Sequence, residues 1–312
     1  MNSELQGPGA DFLASRVFEW IGGPYRALGH TFQVRTESAA DFQPRLANSL
    51  EPLLDPSVAH PSHTYDVIDQ GQPISGRYVV YDNGSKVGAS ASRYVTAGRI
   101  HWLTNQGAIL TAAPSVVQLH AGGVQRSGLT VVLPAPMDAG KSTTVAGLLR
   151  AGYSYLSDEV VEVGPLRAIT TTFPKALALD RSSVQLLGSL DAPFEGATAE
   201  PQWHVTAGGL SAGPAPHIPC HADLFIFPQY REGADTHIQS LTPGEATVAL
   251  CESTFKFRER AAVALPLLTE LAELVPARRL IIGDLTRAVA LATEELGKIA
   301  HHTHQGGHQH AS

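Results

Sequence analysis

The stretch from His120 to Val163 constrains the fold most. Leu129 to Leu133 is built from β-branched and leucine residues and bounded by Gly128 and Pro134, the composition of a buried strand. Residues 135–143 read Ala-Pro-Met-Asp-Ala-Gly-Lys-Ser-Thr, and the segment beyond them, to Arg150, places Val145, Ala146, Leu148 and Leu149 at helical spacing before Gly152 closes it. A strand that breaks into such a turn and re-enters a helix brings backbone N–H groups and the helix's positive end to one point, which is how a chain surrounds phosphate oxygens. In that arrangement Lys141 reaches the β- and γ-phosphates and the Ser142 hydroxyl ligates Mg²⁺. The pattern G-x-x-x-x-G-K-[ST] is complete except that Ala135 replaces its first glycine. Ala135, Pro136, Met137, Asp138, Ala139, Gly140, Lys141, Ser142 and Thr143 are therefore the candidate nucleotide-binding residues.

An acidic pair follows closely. Tyr153 to Leu156 reads as the next strand and ends on Ser157, Asp158 and Glu159. Taken as a parallel neighbour of the first strand, it brings both carboxylates to the sheet edge that carries the turn, where ligand sites of open α/β sheets lie. A carboxylate there binds Mg²⁺ directly or through water, or takes the proton of an attacking hydroxyl. Ser142, Asp158 and Glu159 are the candidate metal ligands. A short apolar strand, Val116 to Leu119, delivers His120 to the same neighbourhood.

The order of His120-Ala-Gly, an apolar strand, P-x-P-x-x-A-G-K-S-T, a helix and R-A-G-Y-x-Y-L-S-D-E-V resembles the catalytic domain of HPr serine kinase. It resembles more closely the stand-alone HPr-kinase-like proteins encoded near peptide natural-product pathways. The likeness covers residues 116–163 strongly, and Phe173 to Leu179 and the last helical region more faintly. It implies an α/β fold, a P-loop HPr-kinase-like core over residues 113–300 with a smaller N-terminal α/β cap domain over 1–112. By the same likeness His120 matches the histidine ahead of the loop, Lys141 and Ser142 the phosphate and Mg²⁺ residues, and Asp158 the catalytic aspartate. Glu159 stands at a second acidic position, and Lys175 is a further candidate phosphate contact. The implied activity is transfer of the γ-phosphoryl group of ATP or GTP, with Mg²⁺, to a hydroxyl of a peptide, a protein or a small-molecule alcohol. HPr itself is not the expected acceptor, because the family's substrate-side signature is not evident. HPr kinases form hexamers, so a homo-oligomer stands among the expectations. Where the family loop is glycine-rich, this chain has Ala135, Met137 and Asp138: a methyl group that restricts positive φ, and a negative charge beside a polyphosphate. Two other readings follow, a simple nucleotide hydrolase and a degenerate P-loop protein acting as a nucleotide-binding scaffold or regulator.

Composition narrows the partners. The chain has 312 residues, a formal net charge of −7, 43% hydrophobic and 16% charged residues, which suits a globular protein without a nucleic-acid partner. No apolar run nears the roughly 20 residues needed to span a bilayer. The N-terminus lacks a charged segment followed by an apolar one, and the two cysteines, Cys220 and Cys251, read as reduced thiols, so a cytoplasmic protein is expected.

Ahead of the core, Gly22-Gly23-Pro24 reads as a turn, Thr31 to Arg35 as a strand and Pro44 to Leu54 as a short helix that Pro52 interrupts. Asp82-Asn83-Gly84 predicts a hairpin, and Tyr94 to Leu110 a helix whose His101, Trp102 and Asn105 read as packing residues. Beyond the acidic pair, residues 191–219 are dense in Gly, Pro, Ala and Ser and read as a long loop, with 206–216 closing on an acceptor. The segment 301–312 holds five of the 14 histidines and reads as a disordered tail.

Overall fold

The computed structural model describes residues 10–71, 76–188 and 203–306, a mixed α/β chain that divides into two compact units between Thr111 and Ala112. No helix among the described residues is long and apolar enough to cross a membrane.

The first unit runs α1 (Ala10–Ala14), β1 (Trp20–Ala27), β2 (His30–Thr36), α2 (Ala39–Leu50), β3 (His63–Asp69), β4 (Tyr78–Asp82), β5 (Ser85–Ser90) and α3 (Arg93–Leu110). The strands form one sheet in chain order, antiparallel except for the parallel pair β2–β3. Phe42, Leu46 and Leu50 of α2 and Ala97 and Ile100 of α3 are buried in its core. Asn83 and Gly84 take positive φ between β4 and β5, the backbone a two-residue hairpin needs. Gly22-Gly23-Pro24 is not a turn: it lies inside β1 as a bulge between Gly22 and Tyr25, on either side of which pairing to β2 continues. The second helix starts five residues ahead of Pro44, whose position inside it is held by the buried face. His101 is buried, its Nε2 3.0 Å from the Ser49 hydroxyl.

The second unit runs β6 (Val117–Arg126), β7 (Leu129–Pro134), α4 (Lys141–Arg150), β8 (Ser154–Ser157), β9 (Val160–Val163), β10 (Ala168–Ile169), β11 (Leu177–Leu179) and α5 (Arg181–Leu187). It continues through β12 (Trp203–Val205), β13 (Cys220–Tyr230), β14 (His237–Ser240), α6 (Pro243–Glu252), α7 (Phe257–Leu274), β15 (Ala277–Ile282) and α8 (Leu285–Gly306). Its main sheet has the order β14-β15-β13-β7-β6-β8, with β7, β13 and β15 mutually parallel. The continuous apolar run of β7 is explained by cover on both faces. Val131 and Leu133 pack in one cluster with residues of α4 and α8, while Val132 packs in another with residues of α6 and α7.

Further expectations are corrected in this unit. The strand expected over Val116–Leu119 is ten residues long, β6, and passes through His120 as far as Arg126. It lies antiparallel between β7 and β8, so those two strands point the same way without being neighbours. Gly122 and Gly123 hid it, since they interrupt the apolar pattern; at Gly122 a Cβ would lie 2.4 Å from Val145 Cγ2, so glycine is what lets α4 rest on the strand. The long loop is in part structured. Strand β12 pairs with β11, and Leu210 is buried in the core with Tyr153 and Val205, which anchors the segment expected to close on an acceptor. Residues 191–202 of that loop lie outside the described residues. The last helix continues to Gly306, six residues into the expected tail, because nothing between Ala300 and Gln305 breaks a helix; 307–312 are outside the described residues.

Candidate functional site

The turn after β7 is tied to its neighbours by main-chain bonds. The Ala135 N–H donates to the His120 carbonyl at 3.1 Å, and the Tyr230 N–H, at the end of β13, donates to the Ala139 carbonyl at 3.0 Å. Ala135 is buried and is not among the residues of positive φ, so its methyl group meets no backbone strain. Asp138 (φ 61°) and Gly140 (φ 85°) are left-handed; aspartate is one of the few non-glycine residues that tolerate this. Pro136, Met137 and Asp138 are exposed at the tip. Gly140 starts α4, its carbonyl accepting bonds from the Thr144 N–H (3.0 Å) and hydroxyl (2.7 Å). The first N–H groups of α4 have no carbonyl of their own turn to bond, and they carry the helix's partial positive charge.

Lys141 opens that helix but does not reach into solvent: its side chain is buried and its ammonium donates to the main-chain carbonyl of Asp158. Asp158 and Glu159 follow β8 directly. The Ser157 hydroxyl accepts the N–H groups of Glu159 and Val160, each at 3.1 Å, and the Ala121 N–H of β6 bonds the Glu159 carbonyl at 3.2 Å, which fixes the acidic pair beside His120. The Lys175 ammonium lies 3.1 Å from Asp158 Oδ1 and 3.5 Å from Glu159 Oε2. The Tyr155 hydroxyl, 3.2 Å from Asp158 Oδ1 and 2.9 Å from the Lys175 carbonyl oxygen, shares its one proton between them. His120 Nε2 stands 3.9 Å from Glu159 Oε1, and its ring is tilted against Phe255 with centroids 5.5 Å apart.

Burial and charge set the protonation states. Burial alone would raise the Asp158 carboxyl, but the Lys175 and Lys141 charges, with hydrogen bonds from Lys175 and Tyr155, hold it below its ordinary value. Burial pulls the Lys141 ammonium down, and the carboxylates only partly offset this. Lys175 is the reverse: burial opposes its charge, yet Asp158 and Glu159 push it up. His120 is lowered to about 4, first by burial and then by the Lys141 charge, so its imidazole is neutral at pH 7. Tyr155 is pushed well up by burial and by the Asp158 charge, and remains a hydroxyl. Two lysines thus face two carboxylates around a neutral histidine.

His120, Lys141, Asp158, Glu159 and Lys175 therefore come together, drawn from within β6, the turn after β8, the start of α4 and the segment before β11. Ser142 and Thr143 lie half-buried in the first turn of α4, and the Thr143 hydroxyl is engaged by Ser183 of α5 at 2.6 Å. Tyr155 was missed by the motif reading; its signal was a tyrosine three residues ahead of Asp158 in a strand buried throughout. Among the described residues no three His, Cys, Asp or Glu side chains form a ready-made metal cage. Ser142, Asp158 and Glu159 carry oxygen donors, whose hard chemistry suits Mg²⁺.

No protein-family model matches the chain, and a search of curated proteins finds no relative.

Proposed function

We propose that the chain is a Mg²⁺-dependent phosphotransferase of HPr-kinase-like type. On this reading residues 113–300 form a P-loop core, a smaller N-terminal α/β domain caps it, and the enzyme works in the cytoplasm. The observation that carries the reading is the meeting of the Gly140-Lys141 turn with the Asp158–Lys175–Glu159 cluster on one edge of the sheet. Lys141 and the first N–H groups of α4 bind the triphosphate of ATP or GTP, and the Ser142 hydroxyl with an acidic side chain would hold Mg²⁺, which supplies charge neutralisation on the phosphates. Asp158 orients the acceptor hydroxyl of a peptide, protein or small alcohol and takes its proton. The acceptor oxygen gains the γ-phosphorus as the bridging P–O bond breaks and the nucleoside diphosphate departs. Phosphoryl transfer has a loose transition state that asks more for positioning than for a strong base, which suits a carboxylate held below its ordinary value. His120, neutral beside Glu159, keeps the acidic pair oriented without adding charge.

Thermal unfolding with Mg²⁺-ATP and Mg²⁺-GTP tests the binding half. A ligand at about 100 times its dissociation constant adds roughly 2.7 kcal/mol, a shift that Lys141→Ala should remove. Asp158→Asn should cost at least about 100-fold in transfer while the nucleotide-induced shift persists; undiminished turnover in that variant sinks the assignment of Asp158. A second reading is favoured by the Lys175 pair itself: a carboxylate locked to an ammonium suits a nucleotide-binding regulator. Retained biological function in the Asp158→Asn protein, with nucleotide still bound, would select it.

A further inference from the structure

Resting on the reading of a nucleoside-triphosphate site, we propose that the Tyr230 ring is the platform on which the nucleobase stacks. The sheet order gives the site a direction. Strand β7 carries the turn; on one flank β6 and β8 deliver His120, Asp158 and Glu159, and on the other flank lies β13. The terminal phosphate belongs beside the lysine–carboxylate cluster, where transfer occurs. A polyphosphate that passes the start of α4 from there carries its nucleoside away from that cluster, toward the β13 flank. At that flank stands one aromatic residue held to the turn. The parallel register sets Phe225 beside Val132, so Tyr230, five residues on, comes level with the turn itself. Its N–H bonds the Ala139 carbonyl at 3.0 Å, and a Cβ placed on Gly140 would lie 3.3 Å from Tyr230 Cβ, so the residue's backbone is fixed against the turn. Tyr230 is nevertheless 53% exposed, whereas Leu224 to Pro228 of the same strand are buried. An aromatic face in that place offers what every base can use, a π surface without hydrogen-bond readout, so ATP and GTP should be held alike.

Calorimetric binding of Mg²⁺-ATP, Mg²⁺-GTP and Mg²⁺-tripolyphosphate to the full-length protein and to Tyr230→Ala, Tyr230→Phe and Lys141→Ala tests the platform. Alanine keeps the backbone bond to Ala139 and the Cβ beside Gly140, so it removes only the ring. The expected result is an affinity loss of about tenfold for both nucleotides in Tyr230→Ala, none for tripolyphosphate, and recovery in Tyr230→Phe. Nucleotide affinity unchanged in Tyr230→Ala, or tripolyphosphate weakened as much as ATP, overturns the platform and leaves the phosphate site standing if Lys141→Ala abolishes binding. Wild-type protein that binds neither nucleotide nor tripolyphosphate overturns the site and the platform together.

Discussion

At the scale of single residues, the Asp158–Lys175 pair is the most consequential contact. Both side chains are buried, and removing one partner of such a pair leaves a charge without compensation at a cost of about 3–5 kcal/mol. Lys175→Met should therefore lower stability by that amount, read from urea unfolding; a loss under about 1 kcal/mol would mean that the pair is solvated. In the first unit, His30 sits 1% exposed with its Nε2 2.8 Å from the Tyr65 hydroxyl and its ring 4.6 Å from that of His63, which in turn bonds Asp82. Burial, then the nearby His63, lowers His30 to about 4 from 6.5, with Asp82 opposing. Folded His30 thus refuses a proton that the unfolded chain accepts. Stability is full above pH 6.5 and falls on acidification through that window, by about 3 kcal/mol at pH 4. His30→Gln, which keeps a partner for Tyr65, should flatten this slope in denaturation measured at pH 7.5 and 4.5; an equal acid loss in the variant would assign the slope to other groups. That Lys141, Asp158 and His120 lie near one another was legible in the sequence, Lys141 from the Gly-Lys-Ser-Thr motif and the other two from the strands read on either side of it. Tyr155 left only a faint signal, a tyrosine three residues ahead of Asp158, since its hydroxyl's place between Asp158 and the Lys175 carbonyl depends on contacts across the fold.

At the scale of elements, helix α4 and the strand beneath it decide where Lys141 points. A Cβ on Gly122 would meet Val145 Cγ2 at 2.4 Å and approach Lys141 Cγ at 3.7 Å. Gly122→Ala should push the helix off β6, costing about 1–3 kcal/mol and weakening nucleotide binding, and Val145→Ala in the same chain should restore part of both. Additive losses in the double variant would show that the two sites do not share a contact. The apolar run of β7 and the helical spacing of α3 could be read directly. Strand β6 could not, because Gly122 answers to α4, and Gly123 to Leu156 of β8 and Val161 of β9, rather than to the strand's own pattern. The short strand β12 lay in a stretch whose Gly and Ala content spoke only of a loop; its pairing with β11 and the burial of Leu210 are long-range facts.

At the scale of the whole molecule, every residue assigned to the site lies beyond Thr111, within the second unit. Residues 112–312 produced alone should unfold cooperatively and keep a Mg²⁺-ATP shift that Lys141→Ala removes; loss of that shift in the isolated segment would make residues 1–111 part of the site. The change of character near residue 112 was legible in the chain, from a hairpin signal before it to the glycine–lysine turn after it. How β6 comes to separate β7 from β8 was not, because a strand order is a property of the assembled sheet. The balance of two lysines against two carboxylates carries a last consequence. The chain is already negative, formally by seven charges, so a bare polyanion is repelled at a distance and finds no surplus cation on arrival. On the proposed reading such a site would act as a charge filter, holding a nucleotide only together with the ion that neutralises it.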